Sequence, residues 1–172
     1  MAKHRSLPTT ISLIGMPGAG KSTVGVLLAK MTGLGFRDTD LDIQLQARAT
    51  LQKILEREGY LKLRQIEQQI LLQIQLDHAV ISTGGSVVYS EAVMARLAAA
   101  GPVIYLKVDF NTLEKRVSAA PARGIASNAQ QSFAEVFEER TPLYQRYADT
   151  AIDASVASAE EVATSLVLQL RS

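Results

Sequence analysis

Short apolar runs alternate along the chain with longer stretches in which apolar positions recur every three or four residues. The short runs are Thr10–Ile14, Leu34–Arg37, Ala79–Ser82, Val103–Val108 and Thr150–Asp153. They are rich in Val, Ile and Leu, a composition that predicts strands buried on both faces. The periodicity predicts a helix over Lys21–Met31 and an apolar helical face carrying Leu61, Ile66, Ile70 and Ile74. Val93 with Leu97, Leu113 with Val117, and Val162 with Leu166 and Leu170 mark later helices. This alternation predicts an α/β fold, a parallel sheet flanked by helices. Neither a repeat nor a linker interrupts it, so residues 1–172 read as one domain. The least regular stretch, Ser118–Gln131, holds Pro121, Arg123 and Gly124 and reads as a mobile loop.

Composition narrows the function. Of the 172 residues, 47% are apolar and 20% charged, enough for one core and a solvated surface. A formal net charge of +1 gives no electrostatic reason to expect nucleic acid or an acidic membrane as a partner. Any clustered arginines must therefore serve a small anion. The chain has no cysteine, which excludes disulfides, thiolate metal sites and cysteine nucleophiles. The first ten residues are polar and carry no secretory signal, and no apolar run approaches the ~20 residues that span a bilayer. A cytoplasmic location and a monomeric state are expected. His4 and His78 stand in no metal-ligand spacing.

The first predicted strand runs into Gly15-Met16-Pro17-Gly18-Ala19-Gly20-Lys21-Ser22-Thr23, which matches G-x-x-x-x-G-K-[ST] without a mismatch. Backbone N–H groups can surround phosphate oxygens only where side chains stay clear, hence the glycines. The helix that follows aims its unpaired N–H groups and partial positive end at the anion. Lys21 reaches the β- and γ-phosphates, and Ser22 supplies a hydroxyl to Mg2+. Neither the D-x-x-G nor the N-K-x-D string of a GTPase occurs. The expectation is a P-loop NTPase fold that binds a nucleoside triphosphate.

The second strand leads into Asp38, Thr39, Asp40, Leu41 and Asp42. Carboxyl ends of strands face the ligand crevice in a doubly wound sheet, so Asp38 and Asp40 are expected beside the phosphate loop. Asp42 reads equally well as a helix cap. Arg64 and Glu67, three apart on a helix, read as a pair in which Glu67 orients Arg64.

The phosphate loop followed by Asp38-Thr39-Asp40 resembles the shikimate kinase family. Arg64 with Glu67, the glycine pair Gly84-Gly85, Arg123 in its loop and the Arg140-to-Tyr144 string follow in the family's order. The likeness runs from about Ile11 to Leu170. It implies five parallel strands, a lid over residues 118–131, and phosphorylation of shikimate to shikimate 3-phosphate in aromatic amino acid biosynthesis. By the same resemblance Lys21, Asp40 and Arg123 are catalytic, and Gly18, Ala19, Gly20, Lys21, Ser22, Thr23, Arg116 and Arg123 bind ATP. Asp40, Arg64, Gly84, Gly85 and Arg140 bind the acceptor, and Ser22 with Asp38 holds Mg2+. The chain departs from the family at Tyr60, Leu63, Ser86, the Gly124-Ile125-Ala126 run and Ala157-Ser158-Ala159. Ser86 places a Cβ where the backbone approaches the acceptor, which is strained if its φ is positive. The residues leave two alternatives open: a kinase of another acidic polyol such as quinate or a sugar acid, and a nucleotide-binding regulatory module without catalysis.

Overall fold

The computed structural model describes residues 7–171, so the reading of the extreme N-terminus, and of His4 with it, lies partly outside the described residues. Five parallel strands form one sheet: β1 (Thr10–Ile14), β2 (Gly35–Asp38), β3 (Ala79–Ser82), β4 (Val103–Lys107) and β5 (Thr150–Asp153), in the order β2-β3-β1-β4-β5. Thr10 pairs with Ala79 on one side of β1, and Ser12 with Val103 on the other. The central strand is buried throughout, and Ile11, Leu13, Ile14, Val80, Ile81, Ile104 and Leu106 are fully enclosed. The two outer strands differ from the expectation of burial on both faces. β5 alternates half-buried with exposed positions and β2 is nowhere fully buried, because an edge strand has only one covered neighbour.

Among the described residues eight α-helices flank the sheet. They are α1 (Lys21–Thr32), α2 (Thr39–Ala47), α3 (Leu51–Glu58), α4 (Tyr60–Gln73), α5 (Glu91–Ala100), α6 (Phe110–Ala119), α7 (Phe133–Tyr147) and α8 (Ala159–Arg171). Side-chain caps start several of them: Asp38 accepts from Asp40 N, Ser90 from Val93 N, and Ser132 with Glu135 closes a reciprocal box at α7. Val93, Leu97, Leu113, Val162 and Leu166 are buried as their spacing predicts. The stripe read for α4 needs correction. Leu61 is 65% exposed and the buried positions are Leu63, Glu67, Ile70 and Leu71, a face rotated from the predicted one and holding a carboxylate. The irregular loop also begins later than read, since Ser118 and Ala119 close α6.

Two apolar clusters result. The large one fills the sheet–helix layers, and a small one gathers Ile43 of α2, Ile54 of α3, and Leu63 and Ile70 of α4 with Ala126 of the loop. The loop is thus packed against the α2–α4 layer, with Gly124 pressed onto the start of α3. There the φ of Gly124 is 66°, and a Cβ would stand 2.6 Å from Gln52 N.

Candidate active site

The turn after β1 wraps around the side chain that follows it. Gly18 and Gly20 hold φ values of 83° and 91°, which lets the loop close and α1 begin at Lys21. Lys21 folds back so that Nζ donates to the carbonyls of Gly15 and Met16, at 2.8 and 2.9 Å. Burial lowers its ammonium to about 8, and the charges of Asp40 and Asp38 pull the other way. Ser22 donates to Asp38 Oδ2 over 2.5 Å, and Asp38 Oδ1 accepts from Asp40 N. Asp38, not Asp42, is therefore the cap of α2. Asp42 instead pairs with Arg37 at 2.7 Å on the surface, away from the loop.

Asp40 faces Lys21 across a cavity of about 130 Å³, which Glu67, Gly84, Gly85 and Arg140 also line. Burial first, and then the Asp38 charge, raises the Asp40 carboxyl, against Lys21 and Arg123. The glycines keep this space open. A Cβ on Gly84 would collide with Glu67 Oε1 and lie 3.1 Å from Asp40 Oδ1, and one on Gly85 would lie 3.1 Å from Arg140 Nη1. Ser86, the neighbour that departs from the glycine run, has φ −93°, so its Cβ is unstrained and the expected penalty does not arise.

Glu67 does not orient Arg64. Its Oε2 accepts from the Ser86 hydroxyl, and it is buried at 5% exposure. Burial pushes its carboxyl up to about 7, the Ser86 bond acting in the opposite direction. The Arg64 guanidinium lies 3.8 Å above the Tyr89 ring, and its Nε donates to the Ala126 carbonyl at 3.0 Å. Arg140 is the largest fully buried side chain, and its Nη2 donates to the same carbonyl at 2.8 Å. Tyr144, on the next turn of α7, donates to the Gly85 carbonyl over 2.5 Å and fixes the glycine turn.

The loop carries Arg123 to the rim of this cavity. A second cavity of about 820 Å³ opens beside it, between Gly18, Gly20, Leu55, Arg116 and Pro121. Arg116 leans over the phosphate loop, donating to Gly18 O at 3.3 Å and Ala154 O at 3.2 Å. Ser158, another departure, caps α8, with Glu161 N donating to its hydroxyl at 3.2 Å.

Of the residues assigned to the site from sequence, all but Ala19 line one of these two cavities or hydrogen-bond to a residue that does; Ala19 is buried under the phosphate loop, its N–H donating to the Met16 carbonyl. Ser86, Tyr89 and Tyr144 went unassigned. Tyr144 had a signal, closing the Arg140-to-Tyr144 string, whereas Ser86 and Tyr89 are named only by their partners in space. Asp38 and the Ser22 hydroxyl form a small oxygen donor set facing the phosphate loop, which fits Mg2+, an ion that takes few protein ligands and completes its shell with phosphates and water.

A family model described as shikimate kinase matches residues 17–171. A shikimate kinase of Pseudomonas entomophila is 37% identical over 144 residues, covering 82% of this chain and 84% of that protein. One from Thermobifida fusca is 34% identical, covering 92% of each. The structure of shikimate kinase from Acinetobacter baumannii in complex with shikimate superposes with a TM-score of 0.84 at 27% identity, over 96% of this chain and 94% of that one. Sequence, fold and site geometry converge, and the chain belongs to the shikimate kinase family.

Proposed function

We propose that this protein transfers the γ-phosphate of ATP to a ring hydroxyl of shikimate, yielding shikimate 3-phosphate and ADP. The observation that carries this reading is the meeting, across one small cavity, of a phosphate-binding loop with a carboxylate and a buried arginine fork. The loop N–H groups and Lys21 hold the triphosphate, and Arg116 lies along the larger cavity where the nucleoside fits. Arg140 and Arg64 match a planar carboxylate, each as a charge-assisted donor. Asp40 accepts a hydrogen bond from the reacting hydroxyl. Its raised carboxyl affinity for protons suits a group that takes the proton as the oxygen attacks phosphorus. The bond from the γ-phosphorus to the bridging oxygen breaks, and ADP leaves with that oxygen. Phosphoryl transfer depends on positioning and charge neutralisation, which Lys21 and Arg123 supply. Mg2+, held by Ser22 and by Asp38 through water, would add positive charge at the phosphates.

We read residues 1–172 as one domain, because a single five-stranded sheet organises the described elements, and carry the monomeric state and cytoplasmic location as part of the same proposal. Among the described residues no helix is long and apolar enough to cross a membrane. Mass spectrometry of a reaction holding ATP, Mg2+ and shikimate tests the reaction. A product one phosphoryl group heavier than shikimate is expected. Unmodified shikimate after exhaustive incubation would overturn the acceptor assignment.

A further inference from the structure

The two arginines that share the Ala126 carbonyl also share an aromatic ring. Tyr89 closes the short 3-10 turn Val87–Tyr89 that follows the glycine pair. The Arg64 guanidinium carbon lies 3.8 Å from its ring centroid, and that of Arg140 lies 5.4 Å from it. Tyr60, one turn earlier on α4, flanks Arg64 at 5.0 Å. Two guanidiniums converging on one oxygen repel each other, and the negative face of a ring eases that repulsion. Stacking also occupies the flat face of Arg64 and none of its N–H groups, so the donors stay in the plane where a carboxylate meets them. A carboxylate side chain would fill those donors instead, and among the described residues Arg64 makes no ion pair.

The ring is itself held in place. Its hydroxyl donates to Glu139 Oε1, and Glu139 Oε2 accepts from Gln131 Nε2 at 2.6 Å. These two bonds hold the Glu139 carboxyl below its ordinary value, so it stays an acceptor for the phenol. Gln131 directly precedes Ser132, the cap of α7, and so ends the loop that carries Arg123 and Ala126. The series Arg64, Tyr89, Glu139, Gln131 thus ties the arginine pair to the end of the loop, while the Ala126 carbonyl ties it to the middle.

We propose that Tyr89 is a positioning residue for the acceptor's carboxylate. Its ring, locked by Glu139 and Gln131, keeps the Arg64 guanidinium beside Arg140 once the acid has displaced the Ala126 carbonyl. Without the ring, Arg64 is a long side chain at a half-buried position on α4 with many rotamers open to it. Apparent acceptor affinity then falls with the fraction of molecules in which both guanidiniums are in place. This deepens the shikimate reading and rests on it.

The test makes Tyr89→Leu and Tyr89→Phe, and also replaces Tyr89 by di-, tri- and pentafluorinated phenylalanine, which keep the ring's shape while draining its negative face. Each is measured with Arg64 present and in the Arg64→Ala background. With Arg64 present, acceptor KM should climb with each added fluorine, reaching about 3- to 30-fold at full fluorination and in Tyr89→Leu, the span of a cation–π contact. Over the same series kcat and the KM for ATP should stay within about 2-fold, since the ring meets neither the phosphate loop nor the nucleoside. Tyr89→Phe keeps the face of the ring and should lie within about 3-fold of wild type. In Arg64→Ala the dependence on fluorine should flatten, a coupling that a merely structural role does not produce. If Tyr89→Leu fails to fold, the fluorinated rings, matched in shape to phenylalanine, decide alone. An acceptor KM indifferent to fluorination, or one that climbs equally in Arg64→Ala, would overturn the inference while leaving the kinase intact. No turnover of shikimate by the wild type would remove the underlying reading and this inference together.

Discussion

Arg64 and Arg140 stand on different helices yet donate to one oxygen, the Ala126 carbonyl, over 3.0 and 2.8 Å. A carboxylate is the natural competitor for such a fork. An acid entering the small cavity must therefore draw both guanidiniums from the loop. Hydrogen exchange follows this directly. With shikimate present and nucleotide absent, amides across residues 124–128 should exchange several-fold faster than without it. Unchanged exchange under saturating acid would show that the arginines keep the loop carbonyl.

Arg64 itself is predicted to matter for the acceptor rather than for ATP. Arg64→Ala removes one charged donor, expected to raise acceptor KM about 10- to 100-fold by weakening binding roughly 1.5–3 kcal/mol. Steady-state kinetics at varied shikimate checks this, and an unaltered KM would take Arg64 out of the site.

Lys21→Met should reduce kcat by at least about 10²-fold. The substitution leaves transferring charge unbalanced and also takes away the donor that ties the carbonyls of Gly15 and Met16. Near-normal turnover in single-turnover experiments would refute its role.

The buried Glu67 carboxyl gives a pH signature in stability. Its ordinary value of 4.5 is raised by burial to about 7, so the folded protein keeps a proton that the unfolded chain releases. The contribution is fully present below about pH 4.5 and is lost as pH rises through 7, an effect of about 3 kcal/mol. The groups facing it are Lys21, Asp40, Ser86, Arg140 and Tyr144, and the comparison with Glu67→Gln isolates its share. In urea unfolding at pH 5 and 7.5, the wild type should lose more stability than the variant. Identical losses would mean that Glu67 titrates normally.

These predictions draw unequally on what the sequence displayed. The β1 and β3 boundaries coincide with the apolar runs, because a strand buried between neighbours draws mostly on apolar residues, and the boundaries of the edge strand β5 coincide as well although it is only half-buried. The phosphate loop was legible for a similar reason, since its geometry is local. Helices α2 and α3 were not, as their polar sequences bury little more than Ile43 and Ile54 and lean on α4. The α4 face was misread because its buried stripe includes Glu67, which no apolar pattern reports. Arg140 and Ser86 took their meaning from contacts made across the fold, with the Ala126 carbonyl and with Glu67. Pro142 would suggest a break, yet α7 continues through it.

Closure of the loop rests on Gly124. Its positive φ and the 2.6 Å approach to Gln52 N leave no room for a side chain, so Gly124→Ala should detach the loop from α3. Water would then reach the γ-phosphate. ATP hydrolysis without acceptor should rise several-fold relative to the acceptor-dependent rate. A ratio equal to wild type would show that the loop seals the site by other contacts.

The most direct measurement is ADP release with ATP and Mg2+, followed across shikimate, quinate, a sugar acid and an acceptor-free control. The account predicts a kcat/KM for shikimate at least about 10-fold above either alternative, with the control near background. A sugar acid turned over while shikimate stays at the control rate, or ADP release that ignores every acid, would contradict it.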